Sequence, residues 1–306
     1  MYKEIPKLSD LVDTNDPDSV IREVRHIVSL AYVDFDFVFL GQAAADTVRM
    51  FNGDYPGYIG CNTPYHDLRH TMDVSLASAR LLHGAFVQGE GLGARTVELT
   101  LVGALFHDTG LIQAEDDLDG TGAKYTMGHE DRSVAFVKDY FLKKGKTSKD
   151  VRDCGHMILC TQLGRNIGEI PFQSPEIETG GKIMATADLL GQMADREYLE
   201  KLFLLYEEFQ EAGLPYESVY DLLEKTHGFY SMAKGRFSST LGGVRAYMAA
   251  HFRDRWDLDL DLYEYAMAGN MEYLRKVLQE GDRKSYLKKL QRGGIALKVD
   301  SPGPGQ

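Results

Sequence analysis

Apolar residues recur at offsets of three and four along most of the chain. No useful run alternates with a period of two, so the pattern predicts an all-α protein. Val20, Ile21, Val24, Ile27, Val28 and Ala31 predict a helix capped at Asp18-Ser19 and running to about Tyr32. Similar patterns predict helices over 37–50, 65–86, 129–144, 148–162, 181–195 and 197–212. The remainder to about 290 reads as helical, with breaks near 213–215, Gly235 and Trp256. Turn residues mark 52–58 as a loop and 89–93 as a break, while 113–128 is aperiodic and rich in glycine. Residues 164–181, with Pro171 and Pro175, read as irregular, 1–17 as a surface lead-in and 301–306 as a disordered tail. With no repeat and no low-complexity linker, the expectation is one all-α domain over 1–300, with a core over about 60–195 and a helical extension over 196–290.

One predicted helix is apolar rather than amphipathic and ends in chemistry. Leu99-Thr100-Leu101-Val102-Gly103-Ala104-Leu105-Phe106 leads into His107-Asp108 and then Thr109-Gly110. Burying an ionised carboxylate without a partner costs several kcal/mol or more, so Asp108 must meet either a basic group from elsewhere in the fold or a metal cation. Asp188 repeats the problem, as one acid within the otherwise uncharged Ile183-Met184-Ala185-Thr186-Ala187-Asp188-Leu189-Leu190-Gly191. His66 and His70 are four residues apart, which on one predicted helix puts their Cβ atoms about 5–6 Å apart on a shared face. His129 opens a predicted helix, and His156 lies in the apolar Cys154-Gly155-His156-Met157-Ile158-Leu159-Cys160.

Each of these residues has an ordinary structural reading, as a helix-end histidine, a satisfied core histidine or an acid paired with arginine. Five histidines and two acids gathered at helical segments point instead to a metal centre. Imidazole and carboxylate suit Fe, Mn and Zn, and carboxylate suits Mg. Two such ions about 3.5–4 Å apart activate a water and clamp a phosphoryl oxygen. The stripe of Tyr198, Leu202, Leu205, Tyr206 and Phe209 reads as core, and the acidic Asp116-Asp117-Leu118-Asp119 as a solvated loop or a lid.

Composition narrows the partners. The 306 residues carry a formal net charge of −12, which disfavours non-specific binding to nucleic acid or anionic lipid but not a small anionic substrate held by a metal. Cys61, Cys154 and Cys160 form no CxxC and fit a reducing compartment. No signal-peptide core and no run of eighteen apolar residues is present, so the expectation is a soluble cytoplasmic protein.

The order His…His-Asp…Asp resembles the HD superfamily of metal-dependent phosphohydrolases. Within it, Tyr65-His66-Asp67-Leu68-Arg69-His70-Thr71-Met72-Asp73-Val74 is similar to the Tyr-His-Asn-x-x-His-Ala-x-Asp-Val motif of cyclic-nucleotide phosphodiesterases. The resemblance spans about 60–195 and implies an HD-type helical bundle with added N- and C-terminal helices. It implies two divalent metal ions (Fe, Mn, Mg, Zn or Ni) held by His70, His107, Asp108, His129, His156 and Asp188, with Asp108 bridging. It further implies His66 as general acid, with Arg69 and Gln192 as candidates to contact a small phosphorylated, nucleotide-like substrate. Asp67 stands where the phosphodiesterase motif has Asn, Leu111 where that family has a histidine, and no Gly-Tyr-Pro follows. Three functions stay open: a phosphodiesterase, a di-iron oxygenase using the same six-ligand set, and a ligand-sensing HD module. His66, which an oxygenase does not need, favours hydrolysis. The oligomeric state, homo-oligomer included, is left open.

Overall fold

Caps and prolines set where the helices begin. In the computed structural model, which describes residues 5–279, 286, 288–290 and 292–295, a short α1 (Leu8–Leu11) precedes α2 (Pro17–Ala31). The Asp16 carboxylate caps α2 by accepting from Asp18 N, and Pro17 fills the first helical position, where its missing N–H costs nothing. There follow α3 (Val38–Phe51), α4 (Leu68–Val87), α5 (Ala94–Phe106), α6 (His129–Lys143), α7 (Ser148–Ile158) and α8 (Pro175–Met193). The chain continues through α9 (Tyr198–Glu211), α10 (Val219–Ser238), α11 (Tyr247–Trp256) and α12 (Leu262–Leu278). The fold is all-α; among the described residues the β-structure amounts to an isolated bridge between Tyr58 and Ala114. The expected tail over 301–306 lies outside the described residues.

Several boundaries differ from the sequence expectation: α2 is capped by Asp16 rather than at Asp18-Ser19, and α7 ends at Ile158 rather than 162. α4 begins at Leu68 rather than 65, because Asp67 takes the N-cap and accepts from His70 N at 2.8 Å. His66 therefore sits in the approach to the helix and does not share a helical face with His70. α8 begins at Pro175, not 181, since Ser174 caps it and a proline in the first turn starts a helix rather than breaking one. α10 runs through Gly235 and stops after Ser238, ahead of Gly242 and Gly243, both at positive φ.

α4 is the axis of the molecule. It packs against α2, α5, α8 and α11, and nearly every residue from His70 to Ala85 is buried. α5 lies beside it, against α3, α7 and α8, and is buried from Val97 except at Glu98. A helix apolar on all sides is a core helix, as the sequence pattern of 99–106 implied. One buried apolar cluster runs from Val12 to Leu290. No helix among the described residues is long and apolar enough to cross a membrane.

Candidate metal centre

Four helices deliver their ends or flanks to one point. His70 stands in the first turn of α4, His107 at the C-cap of α5 and Asp108 directly after it. His129 is the first residue of α6, and Asp188 lies on α8. Asp108 Oδ2 is 3.2 Å from His107 Nε2 and 3.5 Å from His70 Nε2, while its Oδ1 is 3.3 Å from His129 Nε2. Asp188 Oδ1 lies 3.2 Å from His70 Nε2 and 3.7 Å from His107 Nε2. Two carboxylates and three imidazoles predicted from separate segments thus converge, and among the described residues no arginine pairs with either acid.

The donor set fits a cation. His107 Nδ1 is 2.8 Å from the Ala104 carbonyl oxygen and His129 Nδ1 is 2.9 Å from that of Thr126. A carbonyl only accepts, so each Nδ1 carries a hydrogen, and in a neutral ring Nε2 is then a bare lone pair. Those lone pairs face carboxylate oxygens. His107 Nε2 and Asp108 Oδ2 are both buried and, though close, are not aligned as a hydrogen bond. Without a cation the rings must take protons instead. Burial opposes a charged His107, yet the Asp108 and Asp188 carboxylates beside it raise it well above the ordinary histidine value. Burial likewise pushes Asp108 up, and the His107 imidazolium more than offsets this and holds it well below the carboxylate range. One ion held between the same atoms would replace these protons. The ligand atoms of His70, His107 and Asp108 lie within 4.8 Å of one another, a spread that ligand bonds of about 2.0–2.2 Å span with small side-chain shifts.

Three neighbours fix this geometry. Ser133 Oγ donates to the His107 carbonyl at 2.5 Å and accepts from Gly110 N at 2.9 Å, tying α6 to the end of α5. Arg132 Nε donates to the Gly110 carbonyl at 2.6 Å. At Gly110 an added Cβ would fall inside the carbonyl oxygen of His129, so a glycine there lets His129 reach Asp108.

Beside the cluster opens a cavity of 920 Å³ whose lining includes His66, Asp108, His129, Asp188 and Gln192. His66 is held by Glu208, a residue not singled out from the sequence. Glu208 Oε1 accepts from Tyr65 N at 2.7 Å, and Oε2 lies 2.6 Å from His66 Nδ1. Burial disfavours a charged His66, but the Glu208 carboxylate outweighs it, and the ring is raised to about 9. With Nδ1 committed to Glu208, Nε2 is the nitrogen free to exchange a proton. Tyr198, Leu202, Leu205 and Phe209 form an apolar wall of this cavity as well as part of the core, which corrects the reading of that stripe as core alone.

Two candidates fall outside. His156 packs edge-on against Phe172, and the charges that act on it are Asp153 and Arg152 of its own helix. Burial holds it below the usual histidine value. On α7 the inward stripe is Asp153, Cys154, Met157 and Ile158; at 3.6 residues per turn this leaves His156 on the flank. Arg69, one residue before His70, is turned about 100° away. It pairs with Glu197 at 2.6 Å and Asp195 at 2.9 Å, away from the metal-centre cavity. Asp117 of the acidic loop is likewise satisfied by Lys124 at 2.5 Å and by Tyr125.

A family model described as Npun_R2479-like matches residues 56–238, well over half of the chain and the whole of the cluster just described. No curated protein and no solved structure matches the chain.

Proposed function

The chain belongs to the Npun_R2479-like family, and from the site that the matched segment carries we propose that it is a metal-dependent phosphohydrolase of HD type, cleaving a phosphodiester or related phosphate ester. The observation that carries this reading is that a charged, carboxylate-held His66 lines one cavity with Asp108, His129 and Asp188 of the cluster that also contains His70 and His107. His70, His107, Asp108 and Asp188 would hold a first divalent cation, and His129 with Asp108 would contribute to a second. Bound there, divalent cations supply Lewis acidity to a phosphoryl oxygen and to the attacking water.

The chain's own residues do the rest. His66 holds a proton at Nε2 and delivers it to the leaving oxygen, while Glu208 fixes the ring and keeps it charged at neutral pH. Tyr198, Leu202, Phe209 and Phe229 offer an apolar surface to the organic part of the ester and exclude water around it. Gln192, one turn beyond Asp188, offers an amide to a polar group of the substrate. An oxygenase needs no such acid, and the His66–Glu208 pair favours hydrolysis.

The test is turnover of bis-p-nitrophenyl phosphate and of a cyclic-nucleotide panel with Mn²⁺ or Mg²⁺. Wild type is expected to turn over at least one of them, His70→Ala and Asp188→Asn to lose the activity, and His66→Ala to lose about 10²–10⁴-fold in kcat. No turnover of any ester, or turnover indifferent to His70 and Asp188, overturns the reading; purified iron-loaded protein with a mixed-valence EPR signal and no esterase activity would put an oxygenase in its place.

A further inference from the structure

About a quarter turn around α4 from His70 lies a second cavity of 420 Å³, walled by α4, α8, α12 and the segment around α1. Four arginines (Arg69, Arg80, Arg196 and Arg292) line it against two carboxylates, Asp73 and Asp195, in a chain that is acidic overall. Four of these six are accounted for: Arg69 pairs with Asp195 at 2.9 Å and with Asp73 at 4.0 Å, and Arg292 Nη1 donates to Asn270 Oδ1 at 3.0 Å.

Arg80 is not. It is 1% exposed and among the largest fully buried side chains of the protein. Its Nη1 donates to the Tyr263 hydroxyl at 2.9 Å, and the Phe252 and Tyr263 rings flank the guanidinium at 5.5 and 5.6 Å. Among the described residues its Nε and Nη2 have no hydrogen-bond partner and no carboxylate pairs with it. Nε and Nη2 form the edge of a guanidinium that grips a carboxylate or a phosphate through two parallel hydrogen bonds. A buried cation in this condition is ordinarily matched by an anion.

We propose that this cavity is a second ligand site, taking a small organic oxyanion whose carboxylate or phosphate pairs with Arg80. Its volume suits a molecule up to about the size of a mononucleotide, since small-ligand pockets begin near 300 Å³. Leu76, Leu262 and Ala266 supply apolar contact to the body of the ligand, and Arg69 and Arg196 add positive charge around it. The occupant touches the two helices that carry His70 and Asp188: Arg69 directly precedes His70, and Gly191 follows Asp188 by three residues. The site does not depend on what the metal centre catalyses.

Isothermal titration of the full-length protein with inorganic phosphate, citrate and AMP tests the site. The same titrations on Asp188→Asn separate it from the metal centre, which also attracts phosphate. At least one probe is expected to bind wild type and Asp188→Asn alike with a Kd below about 1 mM, and to weaken at least about tenfold in Arg80→Met, the loss expected when charged hydrogen bonds are removed. Gly269→Trp is the second variant. Gly269 lines the cavity on α12 and an added Cβ there meets nothing within 4 Å, so the indole fills the space while Arg80 stays intact. It is expected to block the same probe even where Arg80→Met fails to fold. Absence of binding by all three probes, binding that Asp188→Asn abolishes, or binding indifferent to Gly269→Trp overturns the proposal.

Discussion

A histidine that protonates a leaving group must hold its proton at neutral pH and still release it, and His66 is tuned for this chiefly by one carboxylate. Against the opposing effect of burial, the Glu208 pairing, with smaller contributions from Asp108 and Asp188, raises the ring from its ordinary 6.5 to about 9. The sign follows directly: a raised histidine is fully protonated below about 6.5 and loses its proton, and with it the ion pair, as pH rises through about 9. An active phosphohydrolase should therefore show kcat falling on the alkaline side near pH 9. Glu208→Gln keeps the shape of the side chain and removes its charge. It should move that alkaline limb down toward 6.5 and lower kcat at pH 8 by about 10-fold or more, in line with the loss of protonated acid. A pH–rate profile of the variant checks this, and an unmoved limb would remove His66 from the role of acid.

Between elements, the site depends on how closely the end of α5 and the start of α6 approach. Gly110 is the point of contact, with the His129 carbonyl in the space a Cβ would need. Gly110→Ala forces the two segments apart and separates Asp108 from His129, which now lie 3.3 Å apart. Overpacking of this kind costs about 1–3 kcal/mol. The expected result is a lowered Tm together with reduced stoichiometry of bound Mn²⁺ by equilibrium dialysis; a drop in Tm with full metal content would show that the contact serves packing alone. This element scale is also where the sequence was partly legible. An apolar helix ending in His-Asp and a lone acid inside another apolar run are visible to anyone asking how a buried charge is neutralised, and Asp108 and Asp188 do meet around His70 and His107. His129 and His156 looked alike in sequence, but one opens α6 facing Asp108 and the other sits on the flank of α7 against Phe172. Which face of a helix turns inward is decided by neighbours such as Cys154 and Met157 and the elements they pack on, not by local composition. Glu208 was illegible for a related reason: it lies 142 residues from His66, on a helix whose pattern announces only amphipathicity.

For the molecule as a whole, the matched family segment stops at residue 238, yet the axial helix α4 is covered on one side by what comes after. α11 packs along α4 closely enough that a Cβ at Gly84 would collide with the Tyr247 carbonyl. Met248, Phe252, Leu262, Met267 and Leu274 from the C-terminal helices are all buried, as are Phe252 and Tyr263 around Arg80. Burying one such apolar side chain contributes about 1.5–3 kcal/mol. Five of them amount to on the order of 10 kcal/mol, comparable to the entire stability of about 5–15 kcal/mol that holds a typical domain together. A fragment ending at residue 238 should therefore lack a cooperative thermal transition and elute as aggregate or as an expanded species, even though it keeps every residue of the metal centre. A fragment ending at residue 279 retains α11 and α12 and should melt cooperatively. Circular dichroism melts and size-exclusion chromatography of the two fragments decide the matter. A fragment of 1–238 that melts cooperatively within about 3 °C of the longer one, a shift worth only about 1 kcal/mol, would mean that the C-terminal helices are an addition to a domain complete without them.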